Sequence, residues 1–166
     1  MPSDKDFDWI GPGIYFWEAD KRRALEWAQQ HRAKYPNPTV IGAVIDLRNC
    51  LDLTNRTDLE LVREAHSSYV EAQQISGLPI AENLSVAGQP DQDRLLRYLD
   101  CAVIRHLHYI IEQQPKGLDS LEAYDTVRGM FSEGEDLYLG AGFKERTHTQ
   151  IAVINPKCLK GLFFPL

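Results

Sequence analysis

Chemistry that leaves a local signature is largely missing from this chain. It has no Gly-x-Ser-x-Gly elbow, no His-Glu-x-x-His pair, no Walker-type phosphate loop and no Gly-x-Gly-x-x-Gly after a strand. Cysteine is scarce: Cys50, Cys101 and Cys158 are an odd number, lie far apart and make no Cys-x-x-Cys spacing, so neither a disulfide framework nor a zinc site is expected. His106 and His108 fall in mid-helix, where residues two apart point to different faces and cannot share a metal. Serine-, cysteine- and metal-dependent hydrolysis are therefore disfavoured. No apolar run approaches the roughly 20 residues of a membrane-spanning helix, and the opening MPSDKDFDW has no apolar signal core. The expectation is a soluble, cytoplasmic protein with no membrane partner. Positive charge is also short: 18 Lys and Arg against 24 Asp and Glu leave a net charge of −6, which disfavours nonspecific nucleic-acid binding.

What is present is apolar material for one core. With 166 residues, 43% of them hydrophobic, the chain is read as a single domain over 1–166 that needs no metal or disulfide staple. Its densest stretch is DWIGPGIYFWEADKRRALEWA, residues 8–28. Gly11-Pro12-Gly13 makes a turn, Ile14 to Trp17 a buried strand, and Asp20 an N-cap for a helix to about Lys34 with Ala24, Trp27, Ala28 and His31 on its inner stripe. Thr39 to Asp46 reads as a central strand, with Leu51 to Leu53 continuing it after a turn. Thr57-Asp58-Leu59-Glu60 has the capping-box form and opens a helix to about Gln74 that buries Leu59, Val62, His66 and Tyr69. Residues 75–90 read as a loop. A third helix is expected from about Asp91 to Glu112 with Leu95, Leu99, Ala102, Val103 and Ile110 inside. Tyr124 to Phe131 and His148 to Ile154 read as strands, Leu159 to Phe164 as a final short strand, and residues 132–143, with three glycines and three acids, as a mobile surface loop.

The segment GPGIYFWEADKRRALEW resembles the glycine-led strand and following helix of the ADP-ribosyltransferases, above all the poly(ADP-ribose)-polymerase-like branch with its Gly-x-Gly-Ile-Tyr-Phe phrase. HTQIAVINPKCLKGLFF is similar to that family's last catalytic segment, and YDTVRGMF to the strand before its substrate-contacting loop. The resemblance implies an α+β fold of two small packed sheets with flanking helices, and NAD as substrate. It implies that Tyr15 and Trp27 sandwich the nicotinamide ring, that Gly13 lets backbone approach the cofactor, and that Gln150 stands where the family has its catalytic glutamate. Residues 132–146 would be the loop that chooses the acceptor. A glutamine keeps the glutamate's hydrogen bond to the ribose but not its charge. The family's His-Gly pair, which bonds the NAD ribose and carboxamide, has no counterpart in this sequence.

The activity so implied is mono-ADP-ribosyl transfer from NAD to a macromolecular acceptor, protein or nucleic acid, in a toxin or effector whose antitoxin or immunity partner would cover an apolar patch beside the cleft. The alternative is a catalytically inactive module of the same fold that binds a nucleotide or a partner protein. Three further residues are candidates. Arg128 offers a bidentate donor to a pyrophosphate, against a structural ion pair with Asp125 or Glu133. Glu133 offers the negative charge that Gln150 lacks, against a solvated loop acid. His148 shares a strand face with Gln150 and so could contact ligand, against a hydrogen-bonded structural histidine.

Overall fold

The computed structural model describes residues 2–31, 36–86, 93–115, 117 and 120–165. Asp8 to Gly13 is folded into a tight turn because Gly11 takes φ +82° and a Cβ there would stand 2.8 Å from Ile104 Cγ2. The turn delivers strand β1, Ile14–Trp17. Helix α1, Lys21–Gln30, follows, its first turn capped as expected by the Asp20 carboxylate, which accepts the Arg23 N–H at 2.8 Å. The expected continuation through Lys34 falls beyond His31, outside the described residues. The inner stripe is not the expected one: Arg23 is the residue α1 buries, and Trp27 is 39% exposed.

Strand β2, Gly42–Ile45, pairs antiparallel with β6, Leu159–Phe163, in a two-stranded sheet. The segment expected to be central is thus at a margin, with Val44 exposed. Strand β3, Cys50–Asp52, lies parallel to β4, Thr126–Phe131, and the crossover between them is made of helices α2, Arg56–Ser76, and α3, Tyr98–Gln113. Asn55, not Thr57, caps α2 by accepting the Thr57 N–H at 2.9 Å, while Asp58 reaches back to accept the Asp52 N–H at 2.9 Å. Of the predicted inner face only Tyr69 is buried, joined by Ala65, and Leu59 is exposed. Helix α3 begins later than its apolar period suggests. Leu96 is held in a β-bridge with Leu84, and Asn83 Oδ1 accepts the Leu99 N–H at 2.9 Å, a cap supplied from sixteen residues away.

Strand β5, His148–Val153, completes a four-stranded sheet of order β1-β5-β4-β3. One face carries Leu51, Val127 and Ala152 against Val103, Ile104, Leu107 and Ile111 of α3 and Ala65 and Tyr69 of α2. The other carries Ile14, Phe16, Ile151 and Val153 against Ile45, Cys158 and Leu159, which brings in the small sheet. The architecture is therefore mixed α and β, with three helices and two small sheets among the described residues. No described helix is long and apolar enough to cross a membrane.

Candidate functional site

Strand register decides which side chains meet. Trp17 pairs with Gln150, Gln150 with Gly129, and Phe131 with His148, so Trp17, Gln150, His148 and Phe131 share one sheet face. At the end of that face lies a buried polar cluster. His148 Nδ1 is 2.6 Å from the Arg146 carbonyl, which can only accept, so Nδ1 carries the proton. Burial holds the imidazole below its ordinary pKa, with the Arg23 charge adding to that and the Arg146 carbonyl and Glu133 opposing it. In the neutral ring Nε2 is an acceptor, and it takes the Gln150 amide N–H at 2.8 Å. The Gln150 carbonyl oxygen has no hydrogen-bond partner among the described residues. The amide's acceptor end is the end it can offer to a ligand.

Glu133 is buried, not solvated. Its carboxylate accepts from Nε and Nη2 of Arg23, itself only 8% exposed, and lies 3.8 Å from His148 Nδ1. Behind this pair Asp93 fastens the loop that follows β4: it accepts the Gly134 N–H at 2.8 Å and the Lys144 ammonium at 2.7 Å. Burial works against the Asp93 carboxylate, but these two donors outweigh it and hold the group below its ordinary pKa. The loop is a folded hairpin, with Leu137 N–H to Phe143 carbonyl at 2.9 Å and Glu145 N–H to Glu135 carbonyl at 3.0 Å. The expectation of solvated loop acids fails at Glu133 because Arg23 comes down from α1 to meet it.

An open groove of about 730 Å³ runs between α1 and the end of this hairpin, with Arg22, Arg23, Gln30, Leu137, Arg146 and Thr147 among its walls. It shares Arg23 with the cluster, and Trp27, on the same helix, is not one of its walls. Trp27 stacks on His31 with ring centroids 4.1 Å apart and stands 5.7 Å from Trp17.

The other anticipated residues lie elsewhere. Tyr15 is not one wall of a sandwich with Trp27. Its hydroxyl donates to the Gly11 carbonyl at 2.6 Å and accepts the Ile10 N–H at 3.1 Å, its ring packs on the helical core, and burial raises its pKa well above the ordinary phenol. Gly13 approaches protein, since a Cβ there would lie 3.0 Å from the Val153 carbonyl oxygen. Arg128 pairs in register with Ile151 and so occupies the sheet face opposite Gln150. It is neutralised there by Glu18 at 2.8 Å and Asp52 at 3.1 Å, whereas Asp125, its expected partner, faces Arg48.

Arg23, Asp93, Lys144 and Trp9 are the members of the site that sequence reasoning passed over. Trp9 donates its indole N–H to the Leu95 carbonyl at 2.8 Å and packs on Phe131 with centroids 4.4 Å apart, closing the ring layer over His148. Arg23 had a usable signal: it lies four residues before Trp27 and therefore on the same face of α1, within a Lys-Arg-Arg run that reads as solvent-facing. No group of three metal-ligating side chains assembles among the described residues. No protein-family model, curated protein or solved structure matches the chain, so the functional reading rests on the residues themselves.

Proposed function

We propose that the chain is a mono-ADP-ribosyltransferase that uses NAD as substrate and transfers ADP-ribose to a macromolecular acceptor. The observation that carries the reading is the Gln150 amide, which is oriented by His148 with its carbonyl oxygen unpartnered and sits beside Trp17. A carbonyl held in that way accepts a hydrogen bond from a ribose hydroxyl and places a partial negative charge near the oxocarbenium-like carbon that forms as nicotinamide leaves. Two small sheets packed with flanking helices agree with the same reading. In this proposal Trp17 and Trp27 provide the aromatic surface for nicotinamide in place of Tyr15. Loss of nicotinamide opens the anomeric carbon to the acceptor nucleophile, and the hairpin after β4 meets the acceptor. Its tip exposes Leu137, Tyr138, Leu139 and Phe143 next to the groove, an apolar patch that also suits an antitoxin or immunity partner.

The test is incubation with labelled NAD and cell extract, following nicotinamide release and label transfer. Gln150→Ala is expected to lower both at least about tenfold, as removal of one transition-state contact does. Trp27→Ala is expected to raise KM. If the wild-type chain releases no nicotinamide and calorimetry detects no NAD binding, the reading is wrong. A second reading, an inactive module that binds a nucleotide, is favoured by the closure of the Arg23–Glu133 and His148–Gln150 pairs, which leaves no charged carboxylate free in the cluster. Saturable NAD binding without nicotinamide release would select it.

A further inference from the structure

We propose that His148 is a positioning residue that sets the polarity of the Gln150 amide, so that the site works only while His148 is neutral. The inference rests on the proposal that Gln150 faces the ribose, but its structural half can be tested without any ligand.

The geometry leaves the neutral ring one arrangement. Nδ1–H is committed to the Arg146 carbonyl at 2.6 Å, Nε2 therefore accepts, and the amide must turn its NH2 group inward at 2.8 Å and its oxygen outward. Adding a proton places N–H groups on both ring nitrogens. Nε2–H and the amide NH2 would then be two donors face to face, and a half-turn of the amide is the local way to restore the hydrogen bond. After that turn the carbonyl oxygen is bound to His148 and NH2 points into the site.

Burial disfavours the proton, and the neighbouring charges act on it from both sides. Glu133 Oε1, from the hairpin, stands 3.8 Å from Nδ1 and favours the charged ring. Arg23, from α1, opposes it and is itself bound to Glu133; Asp20, at the start of α1, weakly favours it. Trp9 and Phe131 each pack 6.1 Å away and keep water from the ring. Lys144 is occupied by Asp93.

The consequence for catalysis is specific. A ribose hydroxyl can donate to a carbonyl or accept from an NH2 group, so ground-state binding survives the turn. The developing cation does not tolerate it, because the turned amide aims a partial positive charge where a partial negative one stood. His148 protonation should therefore lower kcat and leave KM nearly unchanged; because loss of active enzyme through unfolding would also lower apparent kcat, the folded fraction is followed by circular dichroism at each pH.

Two measurements decide the matter. In the free wild-type protein, side-chain 15N NMR, with the pH lowered from about 7.5 until the His148 ring nitrogens titrate, should show the Gln150 NH2 resonances moving with the same midpoint. In nicotinamide-release assays over the same range, kcat should fall about tenfold or more on the acid side, and His148→Gln should remove that limb. A glutamine amide extends to the position of the imidazole Nε2, and its oxygen accepts from Gln150 without titrating, so the activity this variant retains should not fall on the acid side. Gln150 resonances that ignore the His148 titration would overturn the inference, as would an unchanged acid limb in His148→Gln. If no nicotinamide is released at any pH the transferase reading fails, and the NMR result still decides whether His148 controls the amide.

Discussion

Arg23 shows how one residue changes the meaning of several others. Placed on the buried face of a short helix, its guanidinium neutralises Glu133, and the two together occupy the space beside His148. Its Nη1 has no partner among the described residues, so even this pair is incompletely satisfied. Buried ion pairs contribute little net stability, because desolvation offsets the attraction, but breaking one strands a charge. Arg23→Met or Glu133→Leu alone is expected to cost about 3–5 kcal/mol, and the double variant to recover most of that loss. Urea unfolding of all four proteins measures the coupling; additive losses would show that the pair does not act as a unit. The sequence made Glu133 visible as a candidate, since it is an acid on the loop read as substrate-contacting and offered the negative charge that Gln150 lacks. It did not reveal that Glu133 is neutralised, because the neutralising charge comes from a residue 110 positions away.

At the scale of elements, the hairpin after β4 packs Glu133 into the buried polar cluster and is the part that, in the proposed reading, meets the acceptor. It is fastened at its base by Asp93 through Lys144 and the Gly134 N–H, while its tip is open to solvent, with Leu139 fully exposed. Removing the buried ion pair should free the base without unfolding the sheet, because β4 and β5 are paired along six residues of register and do not depend on Asp93. Lys144→Ala is expected to raise amide hydrogen exchange about tenfold or more over 133–146 with little change over Thr126–Phe131. Equal acceleration in hairpin and strands would mean that the hairpin opens only when the whole sheet does. The helices were partly legible in the same way as the hairpin. Asp20 before an amphipathic stretch correctly announced α1. The start of α3 was misplaced because its cap is Asn83 and a bridge to Leu84, contacts that periodicity cannot contain.

For the whole molecule, the balance of buried titrating groups sets the pH range of stability. Burial lowers the pKa of both His148 and His108, and the Nε2 of His108 is buried without a partner among the described residues. The unfolded chain therefore binds more protons than the folded one once the pH drops below the ordinary value of 6.5, and stability falls from there until the folded pKa values are passed. Asp52, Asp93 and Asp125 act oppositely: their carboxylates are held below the ordinary 3.8, so their contribution is intact near neutrality and is lost only as the pH falls through the folded values. Tm should thus decline as the pH falls below about 6.5, with the unfolding free energy dropping by at most about 1.4 kcal/mol per pH unit for each histidine. His108→Leu should shallow that decline; a flat profile in the wild type would contradict the assignment. The sequence by itself determined the alternation of strands and helices, the Gly11 turn, the Asp20 cap, and that Gln150 and His148 share a face, because these depend on φ/ψ preference and on the period of two along a strand. Only the tertiary structure decided that Tyr15 closes its own turn, that Arg128 faces away, and that Arg23 reaches Glu133. Those outcomes depend on register between distant strands and on where α1 is set down, and no local pattern encodes them.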